Sequence, residues 1–404
     1  MQSSQNSLLG KMIGGTLLVS GCCIGAGMLG LPIISGLAGF YPSLVMFIVS
    51  WLFMLATGFL FLETTLWFKG EVNLVTMAST MLGSIGKIAA WILFLFLFYC
   101  LLVAYIAGSG TLLVDFLQET TGVSLPFWMG QLFCVLIFAI FLYYGTRATD
   151  QLNRWLMIGL MGTYLSLLAF GIPHVQTQWL YHTDWSKAPS ILPIMIVSFG
   201  FHNLIPSLTT YLDHHPKRLK LILTLGSAIP LIVYLAWEWL ILGLIPVEGN
   251  GGFKEAMDNG QMVTQALRTA VNKSFVVEIA HAFAFFCIAT SLIAVALSFV
   301  DFLADGLHLK KDKRGQAFLC ALVLLPPLLC ALNYPQIFHH ALGYAGGVGA
   351  VLLFGVIPAL MVWVGRYSKK WDNPPLLPGG KISLIFVILF ACLIVGMQLM
   401  KEVV

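Results

Sequence analysis

The chain has 404 residues, 59% hydrophobic and only 9% charged, against roughly 25% charged in soluble domains, so no water-soluble fold of this length can hide its apolar surface. Its formal net charge of +4 sits in loops beside apolar stretches and implies no nucleic-acid partner. Alternating ten-residue strands of the outer-membrane barrel type are absent, which leaves membrane-spanning helices.

A helix crosses a bilayer with about 20 mostly apolar residues. The sequence predicts about eleven such helices, at 11–37, 42–67, 86–115, 127–145, 151–172, 189–212, 219–245, 274–303, 316–333, 341–366 and 382–401. Met1 to Ser7 is short and polar, and no small-residue cleavage site follows. The first apolar stretch is therefore read as a span of the mature protein and not as a leader. The eight cysteines, Cys22, Cys23, Cys100, Cys134, Cys287, Cys320, Cys330 and Cys392, all fall in apolar stretches. They are expected to be buried small hydrophobes, with no disulfide framework and no zinc site.

Positive residues in short loops stay on the cytoplasmic side. With the N-terminus cytoplasmic, sixteen of the 21 basic residues fall on the inner side, including Lys217-Arg218-x-Lys220 and Lys310-Lys311-x-Lys313-Arg314. The outer side keeps Lys187, Lys254, Arg268, Lys273 and Lys401. This sorting predicts a multi-pass inner-membrane protein with a cytoplasmic N-terminus and a periplasmic C-terminus.

Two spans are interrupted by glycine and proline. The first reads Ser20-Gly21-Cys22-Cys23-Ile24-Gly25-Ala26-Gly27-Met28-Leu29-Gly30-Leu31-Pro32, and the sixth reads Ser198-Phe199-Gly200-Phe201-His202-Asn203-Leu204-Ile205-Pro206-Ser207. They lie five helices apart, so the second enters the membrane from the opposite face. That is the arithmetic of an inverted repeat within one transmembrane domain, with repeat one at about 11–172, repeat two at about 189–366 and an extra helix at about 382–401. Backbone groups freed by such breaks cannot face lipid and must line a protein-enclosed, wet cavity. Simple Gly-Pro kinks are the alternative, and the equivalent placing of the two breaks argues against it.

These stretches resemble the hydroxy and aromatic amino acid permeases. The likeness rests on Gly25-Ala26-Gly27-Met28-Leu29 before Pro32, Ser198-Phe199-Gly200-Phe201-His202 before Pro206-Ser207, and Ala289-Thr290-Ser291 followed by Val295-Ala296-Leu297. Leu152-Asn153-Arg154, Asp301-Phe302-Leu303-Ala304-Asp305 and Ala341-Leu342-Gly343-Tyr344-Ala345-Gly346 extend it over nearly the whole chain. The resemblance implies an eleven-helix permease of the LeuT-like five-helix inverted-repeat fold. Its implied partners are membrane lipid, an aromatic amino acid such as tyrosine and a co-transported proton, with no cofactor.

An amino acid zwitterion needs donors for its carboxylate, acceptors for its ammonium and a shaped pocket. The amides of Gly25, Ala26 and Gly27, at the positive end of the second half of the first span, suit the carboxylate. Carbonyls near Ile24, Phe199 and Gly200 suit the ammonium. Gly25-x-Gly27-x-x-Gly30 also matches a dinucleotide fingerprint, but it follows no strand. Gly21 and Gly25 form a small-xxx-small pair that also serves close helix packing. Phe199, Phe201, His202 and Asn203 are expected to face an aromatic substrate, with stacking as one contribution; His202 satisfying a freed carbonyl is the alternative. Tyr99 and Val103, one turn apart, are further pocket candidates.

Thr290 and Ser291 fall mid-helix, where hydroxyls usually bond back one turn. The resemblance to sodium-coupled members of the wider fold implies that these hydroxyls and the carbonyls of Gly21 and Ile24 bind a cation. Glu238 lies farthest from any span end of the acidic residues and is a candidate proton carrier, or else a protonated structural group. Glu63, Asp301 and Asp305 are expected to be solvated or paired at span ends. No His-Glu-x-x-His pair, Gly-x-Ser-x-Gly elbow or aspartate dyad occurs in the spans, which argues against an enzyme. A channel would need a continuous pore lined by rings of carbonyls or charges.

Overall fold

The computed structural model describes residues 2–70, 72–271, 274–334, 336–371 and 374–400. Lys273 and Lys401, counted above on the outer side, lie outside the described residues. Helices and turns make up the described chain, with no strand among the described residues.

Helix α1 (Gln2–Cys23) and α2 (Gly27–Ala38) form the first span and are bent by 57° at residues 24–26. Then come α3 (Phe40–Leu66), α4 (Leu74–Thr121), α5 (Phe127–Tyr143) and α6 (Thr146–Gly171). Inside α4, Gly83 at φ 72°, ψ −158° breaks the helix, a backbone setting that favours glycine. The chain therefore turns helical at Leu74, well before the expected 86. The sixth span comprises α7 (Leu192–Ser198), a break at residues 199–201, a 3-10 turn at His202–Leu204 and α8 (Ile205–Tyr211).

Helix α9 (Pro216–Leu244) starts on a proline, whose missing N–H costs nothing in a first turn. The polar stretch that follows holds two short helices not foreseen from the pattern, α10 (Phe253–Asp258) and α11 (Val263–Ala270). The chain continues through α12 (Ser274–Gly306), α13 (Lys313–Asn333), α14 (Phe338–Tyr344), α15 (Ile357–Trp363) and α16 (Gly380–Met400). Between α14 and α15, residues 345–356 coil as a π-helix over the run Ala345-Gly346-Gly347-Val348-Gly349-Ala350. A Cβ at Gly346 would collide with the Pro193 carbonyl of α7, so the two backbones touch there.

Among the described residues, nine helices are long and apolar enough to cross a membrane, and ten when the bent α1–α2 pair counts as one. The expectation of eleven is met only by adding α5, whose 17 residues sit at the lower limit of about 17 for a span.

Large apolar side chains lie on the outside as well as in the core. Leu52, Ile92, Leu136, Ile158, Ile232 and Leu389 are all exposed, as expected where hydrocarbon is the solvent. Several charged groups near the ends of spans are paired. Arg366 makes two 2.6 Å bonds to the Glu63 carboxylate, Lys311 reaches Asp301 at 2.6 Å, and Asn73 donates to Asp305 at 3.1 Å. The cysteines are unbridged, but Cys22 and Cys392 are exposed and Cys100 and Cys330 half-buried, against the expectation that all are buried.

Candidate substrate site between two broken helices

The two breaks lie side by side. A Cβ at Gly27 would come within 2.7 Å of Ser198 Oγ and 3.4 Å of Ser198 Cα, so the start of α2 lies against the end of α7. The Cys22 thiol donates to the Gly200 carbonyl at 3.6 Å. From α9, the Tyr234 hydroxyl lies 2.6 Å from the Cys23 carbonyl and 2.8 Å from that of Ser198.

A cavity of about 180 Å³ opens beside the breaks. Its wall takes Gly21, Cys22 and Ile24 from the first break, and Val197, Gly200, Asn203 and Leu204 from the second. Leu97, Phe98, Leu101 and Tyr105 of α4, Asn153 and Met157 of α6, and Ala350 and Phe354 of the π-helical stretch also line it. Helix α12 adds Thr290, Ser291, Ala294, Val295 and Ser298. Asn203 also lines a wider 800 Å³ cavity with Asn73, Thr76, Tyr211 and Asp305, toward the end of the bundle that carries most basic loops.

The other end is closed. The Phe253 ring of α10 fills the space in front of Gly36, Asp184 N–H donates to the Ala38 carbonyl at 2.7 Å, and His182 Nε2 meets the Leu37 carbonyl at 3.1 Å.

Of the expected site residues, the structure brings Gly21, Ile24, Gly200, Asn203, Thr290 and Ser291 together on this wall. Thr290 Oγ1 bonds back to the Phe286 and Cys287 carbonyls at 2.9 and 3.0 Å, the ordinary behaviour of a mid-helix hydroxyl. Ser291 Oγ accepts the Ala26 amide at 2.8 Å. The Ala26 donor thus serves to tie the first break to α12. Gly25 and Gly27 stand behind the wall, where a Cβ on Gly25 would collide with Ser291 Oγ.

Other expectations are corrected. Phe199 and Phe201 are fully buried and line no part of the cavity. The Phe201 ring fills the space above Gly58, 2.8 Å from where a Cβ would be, and Phe199 packs edge-on against Tyr234. His202 is also fully buried, stacked between Phe201 and Phe354 with ring centroids 4.8 Å away on each side. Its Nε2 lies 3.0 Å from Thr57 Oγ1, whose own proton goes to the Met54 carbonyl. That arrangement puts the ring proton on Nε2 and leaves Nδ1 without a partner. His202 therefore faces α3 instead of a bound phenol.

Tyr99 and Val103 also face away, with the Tyr99 hydroxyl donating to the Leu322 carbonyl at 3.0 Å. The α4 face that lines the cavity runs through Leu97, Leu101 and Tyr105. That is two residues, or about 200° around a helix, from the face expected. Glu238 sits away from the cavity, fully buried against α2. Its Oε2 accepts from Ser35 Oγ at 2.5 Å and its Oε1 has no partner.

Sequence reasoning missed Tyr105, Phe98 and Phe354, the aromatic wall. It also passed over Asn153, although Leu152-Asn153-Arg154 stood among the matching stretches. Its buried Oδ1 has no protein partner. An asparagine just inside an apolar helix was the available signal.

Two discontinuous helices meeting at a largely apolar cavity mark a LeuT-like membrane fold, and a solved structure agrees. The crystal structure of MhsT in complex with L-phenylalanine superposes with a TM-score of 0.66 at 16% identity, covering 94% of this chain and 98% of that one. The chain belongs to the tryptophan/tyrosine permease family, whose model matches residues 9–398. It is 32% identical over 391 residues to the tyrosine-specific transport system 1 of Haemophilus influenzae, covering 96% of each chain. It is 28% identical over 388 residues to the tryptophan-specific transport protein of Pseudomonas aeruginosa, covering 94% of this chain and 92% of that relative. These relatives are transport proteins, and the chain is a multi-pass membrane permease, not an enzyme.

Proposed function

We propose that this permease imports an aromatic amino acid, tyrosine first, across the inner membrane with a proton, its N-terminus cytoplasmic and its C-terminus periplasmic. The observation that carries this reading is a cavity flanked by two opened helices and walled by Phe98, Tyr105 and Phe354. Its 180 Å³ exceeds the roughly 150 Å³ that accommodates benzene in an engineered core. The relatives named for tyrosine and tryptophan support the same class of substrate.

Loosened backbone around Ile24 and Gly200 offers polar groups to the zwitterion, and rings from α4 and the π-helical stretch flank its side chain. Asn203 lies between this cavity and the one at the basic end, and the loop charges support a cytoplasmic setting for that end. The structure is then the inward-open half of an alternating-access cycle. One co-transported charge supplies about 2.3 kcal/mol per 100 mV, roughly a 40-fold accumulation. Glu238, buried with one free carboxyl oxygen, is the protonatable group nearest in chemistry to that role.

A sodium-coupled carrier with broader aromatic specificity is the second reading. It is favoured by Gly21, Ile24, Thr290 and Ser291 lining one cavity, since a hard cation seeks oxygen donors. Proteoliposomes holding the purified protein separate the two. An imposed inward proton gradient should drive labelled tyrosine uptake in sodium-free buffer, with unlabelled tryptophan and phenylalanine as competitors. Uptake that needs sodium gives the second reading, and uptake indifferent to both gradients ends the symport claim.

A further inference from the structure

The carbonyl ends of two helices converge on one side chain. Helix α1 ends at Cys23 and α7 ends at Ser198, and each helix carries partial negative charge at that end. The two carbonyls lie 2.6 and 2.8 Å from the single hydroxyl of Tyr234, which is fully buried. Two acceptors left facing each other in a low-dielectric interior would repel. An O–H between them, or a small cation, removes that repulsion.

The same helix face carries two more attachments. Trp237 Nε1 donates to the Met28 carbonyl at 2.9 Å, beyond the break, and Ser35 donates to Glu238. Helix α9 thus holds α1 through Tyr234 and the Gly226 carbonyl, which accepts from Ser20 at 2.8 Å, and α2 through Trp237 and Glu238, and Tyr234 also reaches α7.

We propose that Tyr234 is a positioning residue for transport: its hydroxyl stands where a monovalent cation would otherwise bridge the two helix ends, and it fixes the separation of the two breaks. The ring packs tilted to Phe47 at 6.0 Å and edge-on to Phe199 at 5.2 Å, so Tyr234→Phe removes the donor and keeps the packing. Without it, the Cys23 and Ser198 carbonyls face each other undonated and the cavity wall at Cys22 shifts. The inference rests on the transport reading above for its kinetic consequence, though its structural part stands apart from it.

The test compares the parent, Y234F and Phe47→Leu in proteoliposomes. Phe47 touches the same ring but lies away from the cavity. Y234F should insert at the parent's yield and raise KM for the transported amino acid about tenfold, the scale of one lost buried hydrogen bond. It should also gain stimulation by sodium or lithium that the parent lacks. F47L should lower thermal stability and leave KM alone. The exposed Cys22 thiol gives a readout free of substrate: its maleimide labelling rate, followed peptide by peptide by mass spectrometry, should rise several-fold in Y234F only.

A parent that moves no aromatic amino acid defeats the transport reading, and the labelling comparison still decides the role of Tyr234. Unchanged KM together with unchanged Cys22 labelling in Y234F overturns the inference, as do equal effects in Y234F and F47L. A raised KM without cation stimulation removes the claim that the hydroxyl stands in a cation's place. Should Y234F fail to insert, 3-fluorotyrosine at 234 keeps the shape and changes only the hydroxyl's donor strength. A KM and labelling rate equal to the parent's would then overturn the proposal.

Discussion

The first and sixth spans open at similar points, yet the two breaks are finished differently. At the first, backbone groups are met by side chains from other helices, with Ser291 on the Ala26 amide and Tyr234 on the Cys23 carbonyl. At the sixth, Phe199, Phe201 and His202 turn away from the cavity into the core against α3, α9 and Phe354. One break is held by hydrogen bonds and presents backbone. The other also receives hydrogen bonds, from Tyr234 to the Ser198 carbonyl and from Cys22 to that of Gly200, but ring packing holds it in addition, and it presents Val197, Gly200, Asn203 and Leu204 to the cavity. A discontinuous helix can therefore be stabilised by polar tethers or by burial, and the two should fail in different ways.

The largest expected effect tests the packed break. Phe201→Ala should cost about 3–5 kcal/mol of stability, read as a lowered thermal midpoint in detergent, with KM of the surviving protein within about twofold of the parent. A raised KM at parental stability would return Phe201 to the pocket and erase the contrast. Next comes the tethered break. Gly25→Ala forces a Cβ against Ser291 Oγ, and overpacking of about 1–3 kcal/mol should cut initial uptake about 5- to 150-fold per inserted molecule. The double variant with Ser291→Ala should recover part of the rate, and strict additivity would mean that the two residues do not meet.

Smaller changes sharpen the wall. Phe354→Leu removes an aromatic face worth about 0.5–1.5 kcal/mol, so KM for tyrosine should rise about 2- to 12-fold. A KM unchanged for tyrosine and tryptophan alike would displace the substrate ring from that side. Asn153→Ala should do least. Its Oδ1 bonds no protein group, so its removal leaves no protein partner unsatisfied and should shift KM by less than about threefold.

Membrane character, the places of the two breaks and the family were legible because they depend on composition and on Gly-Pro signals that act locally. So was the gathering of Gly21, Ile24, Thr290 and Ser291, which the family resemblance alone linked. Side-chain direction was not. Near an unwound segment the helical period no longer says where Phe201 or His202 points, and neighbours such as Gly58 and Thr57, over a hundred residues away, decide it. On α4 the period holds, but nearly every position from 97 to 107 is apolar or aromatic, so no polar residue marks which side meets the cavity. The short helices α10 and α11 escaped because their stretch is polar and far shorter than a span.

The widened coil between α14 and α15 bears on how such a bundle can move. Glycines at 346 and 347 lie bare against Pro193 of α7, and Gly349 lies bare against Leu97 of α4, where interlocked side chains would otherwise have to be lifted past one another. A smooth track of that kind lets neighbouring rods slip lengthwise at little energetic expense while staying in touch. Bulk introduced there is expected to slow turnover while leaving the affinity for cargo as it was.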